Sequence, residues 1–226
     1  MAEQIGVADH EARMRGKAES LAEWQLAEDT ATGLALVLLR GEPRTFEGTM
    51  EEAAPILRAY SQEVIGIRVF RTIRASMAVL ACGYAPEARA LDRILVELVA
   101  HRKVILDDPT GGEARRWLEG KSDRGISAKV NAMQPEDLYR NLSQDSHGDP
   151  RSVWRLYDPE SESILLGPKW DPVKTRASLL MHAGVAIDQT QVVATLNGLQ
   201  VNALSEAIDH VKAGWQRLEE DAPTPE

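Results

Sequence analysis

A single cysteine, two phenylalanines and four tyrosines are spread over 226 residues, and each scarcity removes a class of protein. Cys82 alone can form neither an internal disulfide nor a cysteine-based zinc site, so the chain suits a reducing compartment and its thiol is expected in the core. Few aromatics beside abundant Ala, Leu, Glu and Arg disfavour strands and favour helices. Basic charge is also short: 26 Lys and Arg against 35 Asp and Glu leave a net charge of -9. That balance argues against a broad nucleic-acid footprint and confines any RNA contact to a local cleft. No stretch approaches the roughly 18 apolar residues of a membrane span, and the first residues lack the apolar segment of a signal peptide. The expectation is a cytoplasmic protein with no membrane partner. Phosphate-binding glycine loops, the Gly-x-Ser-x-Gly elbow and nucleotide fingerprints are missing too, so no cofactor is expected.

What is present reads as all-α. Hydrophobic residues make up 43% of the chain, enough to fill one core of this size. The pattern predicts a compact bundle of about seven helices with a broken middle region, in one domain over 1–220 with its core at about 49–218. The acidic, proline-broken residues 221–226 are expected to be a disordered tail. Residues 9–40 contain no proline and stop before Gly41 and Pro43, as one helix would. Thr49 and Glu52 fit a capping box, and a long helix follows, its apolar stripe running through Ile56, Leu57, Tyr60, Val64, Ile67, Phe70, Ile73, Met77 and Leu80. Gly83 ends it and Pro86 opens a helix over 86–106 that is apolar on nearly every side, the expected centre of the bundle. Short helices are expected at 113–119, 126–133 and 135–145, one or two turns at 151–157, and an extended passage at 161–170. Helices over 172–196 and 202–219 close the chain, with Asn197-Gly198 as the stop between them.

Arg89, Arg93, Glu97 and His101 recur every four residues on the 86–106 helix, a polar row that drifts around an apolar rod. Ionised groups in such a place need partners, so Arg93 with Glu97 is the expected salt bridge. The row is either an internal structural network or the lining of a binding cleft. His182, among Leu179, Leu180, Met181 and Val185, is either a hydrogen-bonded core histidine or a wall of the same cleft. Glu97 with His101, and Glu206 with His210, share a one-turn spacing that can chelate. The Glu-x-x-His triplet of di-iron bundles is nevertheless absent, and no metal site is expected.

Arg140, Asn141 and His147 form the remaining constellation. Arg140 and His147 lie two turns apart if the helix continues, hence on one face. This resembles the Arg-x4-6-His signature of HEPN domains, in which a polar residue often follows the arginine, here Asn141. Arg176 and His182 make a second match of the same type. The order of a long helix, an apolar helix opening with Arg89-Ala90-Leu91, a broken middle, Leu142-Ser143 before His147, and a Leu-Leu-x-His helix is similar to an uncharacterised bacterial helical family distantly related to HEPN domains, over residues 50–200. The resemblance implies an all-α, usually homodimeric protein and metal-independent RNA cleavage in a defence or toxin setting. In that chemistry His147 handles protons, Arg140 stabilises phosphoryl charge and Asn141 orients. The competing expectation is a non-catalytic interaction or regulatory module that binds a protein partner through its acidic surface and its tryptophans, among them Trp117, Trp154, Trp170 and Trp215.

Overall fold

Local signals set the helix boundaries. In the computed structural model, which describes residues 7–41, 49–121, 157–158, 163–164, 170–201 and 204–221, seven helices are present among the described residues: α1 (Val7–Glu19), α2 (Ala22–Leu39), α3 (Met50–Ala81), α4 (Ala85–Asp107), α5 (Gly112–Leu118), α6 (Pro172–Leu196) and α7 (Leu204–Glu220). They form a compact all-α bundle. One two-residue antiparallel ladder, Tyr157–Asp158 against Ser163–Ile164, stands beside them. The short helices expected at 126–133 and 135–145 and the acidic tail at 222–226 lie outside the described residues.

Thr49 caps α3 as its sequence predicts: its hydroxyl accepts from the Glu52 N–H at 3.4 Å, and the Glu52 carboxylate accepts from the Thr49 N–H at 2.8 Å. Such reciprocal bonds satisfy backbone donors that the first helical turn leaves without partners. The α3–α4 turn needs a left-handed residue, supplied by Gly83 at φ 85°. The Gly83 N–H then donates to the Leu80 carbonyl and the Tyr84 N–H to that of Val79. Pro86 sits in the first turn of α4, where its missing N–H costs nothing.

The expected single helix over 9–40 is two. At the break Leu21 is extended (φ -77°, ψ 136°), while the Ser20 hydroxyl donates to the Lys17 carbonyl at 2.7 Å and closes the end of α1. Serine that bonds backbone locally competes with helix continuation, which the absence of proline could not reveal.

The core joins α2, α3, α4 and α6 through Leu34, Ile65, Val69, Ile73, Leu95, Leu98 and Leu179, with Ala27, Ala31, Ala88 and Ala186 letting the backbones approach. Burying each of the larger side chains stabilises the fold by about 1.5–3 kcal/mol. The expected α3 stripe shifts: Ile65 and Val69 are buried, whereas Tyr60 is 51% and Ile67 42% exposed. α3 packs against α4, α6, α2, α1 and α5, so its buried surface is broad and takes in the small or polar Ala59, Ser61, Gln62 and Ser76.

Nor is α4 the centre of the bundle. Ile94 on it is 36% exposed, while α6 buries twelve residues, among them the polar Thr175, Ser178, His182, Gln189 and Thr190. α7 packs on α6 at Gly214, where a Cβ would collide with the buried Leu180 side chain. Cys82, expected in the core, instead caps α3 and is partly exposed. No helix among the described residues is long and apolar enough to cross a membrane.

Candidate functional site

The polar row of α4 is divided between two cavities. An α-helix turns 100° per residue, so a step of four residues advances about 40° around the axis, and three such steps separate Arg89 from His101 by about 120°. Arg89 therefore faces α6, whereas Glu97 and His101 face α3 and α5. Between them Arg93 makes the expected salt bridge to Glu97, Nε to Oε1 at 3.0 Å.

On the α6 side the principal residue is Asp92, which the four-residue row skips. It is 1% exposed and its carboxylate gathers three helices. Oδ1 accepts from the Ser76 hydroxyl of α3 at 2.9 Å and from His182 Nε2 at 2.7 Å, and Oδ2 accepts from the Ser178 hydroxyl at 2.6 Å. Ser178 and His182 are one turn apart on α6, so both reach the same carboxylate. Burial alone would raise the Asp92 pKa. The electrostatic pull of His182 and the hydrogen bonds from His182, Ser178 and Ser76 outweigh it and hold the carboxyl below the usual aspartate range. His182 is fully buried, and its Nδ1 has no hydrogen-bond partner among the described residues. The serine bonds the aspartate rather than the histidine, so the three do not form a hydrolytic triad, in which the imidazole must face the hydroxyl.

Beside this node lies a cavity of about 450 Å³ between α4, α6 and α7. α4 and α6 run parallel, because Asp92 pairs with Ser178 and His182 while Arg102, further along α4, bridges Asp188 of α6 at 3.2 Å. Both N-terminal ends therefore meet at one end of the cavity, where Arg89, Lys174, Asp92 and Ser178 line it. Val96, Val99, Leu180, Met181 and Val185 form apolar walls, and Trp215 of α7, 39% exposed, stands at the edge. Lys174 Nζ lies 2.7 Å from Asp171 Oδ2. The Arg89 guanidinium is held below its usual range because burial disfavours its charge more than nearby Asp92 and Asp171 favour it.

The second cavity, also about 450 Å³, is lined by Arg68 of α3, Glu97 and His101 of α4, and Trp117 of α5. The Arg68 guanidinium lies 6.0 Å from the Trp117 ring centroid, a cation–π distance, and the His101 ring is 6.2 Å from the same tryptophan, tilted by 54°. Arg68 carries no signal in the sequence that separates it from its neighbours on α3.

Arg176 and His182, the second Arg-x5-His pair, serve different parts of the structure. His182 turns inward to Asp92, while Arg176 bonds Glu23 of α2 at 3.2 Å and Asp221 at 3.0 Å. Glu206 and His210 are exposed on α7, and no group of three or more His, Cys, Asp or Glu side chains suited to a metal ion occurs among the described residues. Arg140, Asn141, His147 and Trp154 lie outside the described residues. Asp92 itself left a trace in the sequence that the row obscured: a carboxylate on the face shared by Ala88, Leu95 and Val96, where an apolar residue is the rule.

Comparison of the chain with protein-family models, curated proteins and solved structures finds no match.

Proposed function

We propose that the chain is a non-catalytic regulatory or binding module whose α4–α6–α7 cavity takes a small organic ligand. The observation that carries this reading is Gly184. It lies in the interior of the 25-residue α6 and lines the cavity. Glycine in a helix interior costs about 0.5–1 kcal/mol relative to alanine, and a mid-helix glycine usually has a packing reason. Packing supplies none here, since a Cβ at Gly184 would meet nothing within 4 Å among the described residues. What the absent side chain provides is room in the cavity. A volume of about 450 Å³ and apolar walls, with Arg89, Asp92, Lys174 and Ser178 at one end and Asp188 at the other, suit a small-molecule site.

A fragment screen by thermal shift on wild type and Gly184→Met tests it. Compounds that raise the wild-type melting temperature should lose that effect in the variant, whose longer side chain fills the space. If every stabilising compound acts equally on both proteins, the cavity is not the binding site.

A second reading, metal-independent RNA cleavage, rests on the Arg140-x6-His147 spacing with Asn141 beside the arginine. Arg140→Ala and His147→Ala should each abolish cleavage of RNA by the purified chain. Full activity in both variants removes this reading.

A further inference from the structure

We infer that the α4–α6–α7 cavity selects an uncharged, mainly apolar molecule, because the protein itself neutralises the charges that line it; this rests on the cavity being the binding site. Two cations, Arg89 and Lys174, and two carboxylates, Asp92 and Asp188, line the cavity, so their formal charges cancel. Val96, Val99, Met181 and Val185 form much of its wall, and Trp215 adds an aromatic side chain at its edge. A ligand therefore gains chiefly by taking apolar surface out of water.

Each lining charge has partners within the protein. The Lys174 ammonium lies 2.7 Å from Asp171 Oδ2, and Asp188 is bridged to Arg102 at 3.2 Å. The Lys174 and Asp188 side chains are also open to water, 46% and 62% exposed, which weakens the pull of either on a further charge. Asp92 is buried and engaged through both oxygens, Oδ1 by Ser76 and His182 and Oδ2 by Ser178. Arg89 has Asp92 and Asp171 as nearby opposite charges. An anion entering the cavity would have to share Arg89 or Lys174 with carboxylates already beside them. A cation would compete with Arg102 for Asp188 and with three donors for Asp92. Either exchange substitutes one pair for another while the ion gives up its own hydration, a cost that an uncharged molecule of the same shape does not meet.

Isothermal titration calorimetry on the full chain tests the inference with 1-octanol, octanoate and octylammonium, which share one apolar body. It is run near neutrality, where the carboxylate and the amine are both ionised. The proteins are wild type, Asp171→Asn and Gly184→Met, with circular dichroism as the check on folding. Asparagine caps a helix about as well as aspartate, so Asp171→Asn keeps the acceptor for the Lys174 backbone N–H while removing the charge. Wild type should bind octanol about tenfold or more tightly than either ion. Asp171→Asn should tighten octanoate several-fold and leave octanol unchanged, and Gly184→Met should weaken octanol. If either ion binds wild type as tightly as octanol or more so, or if Asp171→Asn leaves octanoate unchanged, selection by paired charges is wrong while the cavity reading stands. If none of the three binds, or if Gly184→Met binds them undiminished, the cavity reading fails and this inference with it.

Discussion

Removing the Asp92 carboxylate should be among the most damaging single changes available to this fold. In Asp92→Leu three donors lose their acceptor at once, and each hydrogen bond to a charged group contributes about 1.5–3 kcal/mol. The losses are not equal. Ser76 retains the Ala88 carbonyl, 3.4 Å away, and Ser178 can turn its hydroxyl to a carbonyl one turn back along α6. His182 has no such recourse: it is fully buried and its other ring nitrogen has no partner among the described residues. The expected destabilisation is about 3–5 kcal/mol, the range for breaking a buried pair on one side.

Replacing both partners tests the reasoning more sharply. Asp92→Leu with His182→Leu removes the unsatisfied ring together with the carboxylate, and apolar replacement of a buried pair is often nearly neutral. The double variant should recover most of the loss. Because the folded-state pKa of Asp92 is held below the usual aspartate range, its contribution is complete above that range. It is lost as pH falls through the folded value. The stability gap between wild type and Asp92→Leu should then shrink as the pH falls below about 4. Urea denaturation followed by circular dichroism at pH 7 and at lower pH measures all of this. A loss below about 1 kcal/mol in the single variant, or a double variant as unstable as the sum of the singles, would refute the account.

Further outcomes are expected from the same denaturation assay. Gly184→Ala should stabilise by about 0.5–1 kcal/mol by raising helix propensity into open space, whereas Gly214→Ala, facing Leu180, should destabilise by about 1–3 kcal/mol; equal effects would mean that α7 does not pack as described. Arg176→Met should cost about 3 kcal/mol, because among the described residues it leaves the 5% exposed Glu23 with only Arg217, 3.9 Å away; a change within about 0.5 kcal/mol would count against a paired, buried Glu23. Thr49→Ala should cost about 1 kcal/mol through loss of the α3 cap, and an unchanged denaturation midpoint would show that the capping box is not formed in solution.

Where the chain carries short-range instructions, the residues by themselves determine the outcome. Thr49 with Glu52, Gly83 before Pro86, and Asn197 before Gly198 each act within one or two turns, so the bounds of α3, α4 and α6 follow from local chemistry. Arg93 and Glu97 meet because they are one turn apart. Their neighbours in the polar row were equally legible as a row. The 40° drift that sends Arg89 to one cavity and His101 to another acquires meaning only when α6 stands on one side of α4 and α3 with α5 on the other.

The candidate site depends still more on tertiary structure. Ser178 and His182 meet Asp92 across 86 and 90 residues, Arg176 meets Glu23 across 153, and no local propensity encodes such pairings. Helix propensity and periodicity identify which face of a rod avoids water, but every apolar face is compatible with every other. The choice among them comes from shape: the alanines of α2, α4 and α6 that let helices approach, Gly214 against Leu180, and the breadth of α3 that places Ser76 inside and leaves Tyr60 in solvent. That packing, rather than any motif, brings one aspartate, one histidine and two serines together and leaves a cavity beside them.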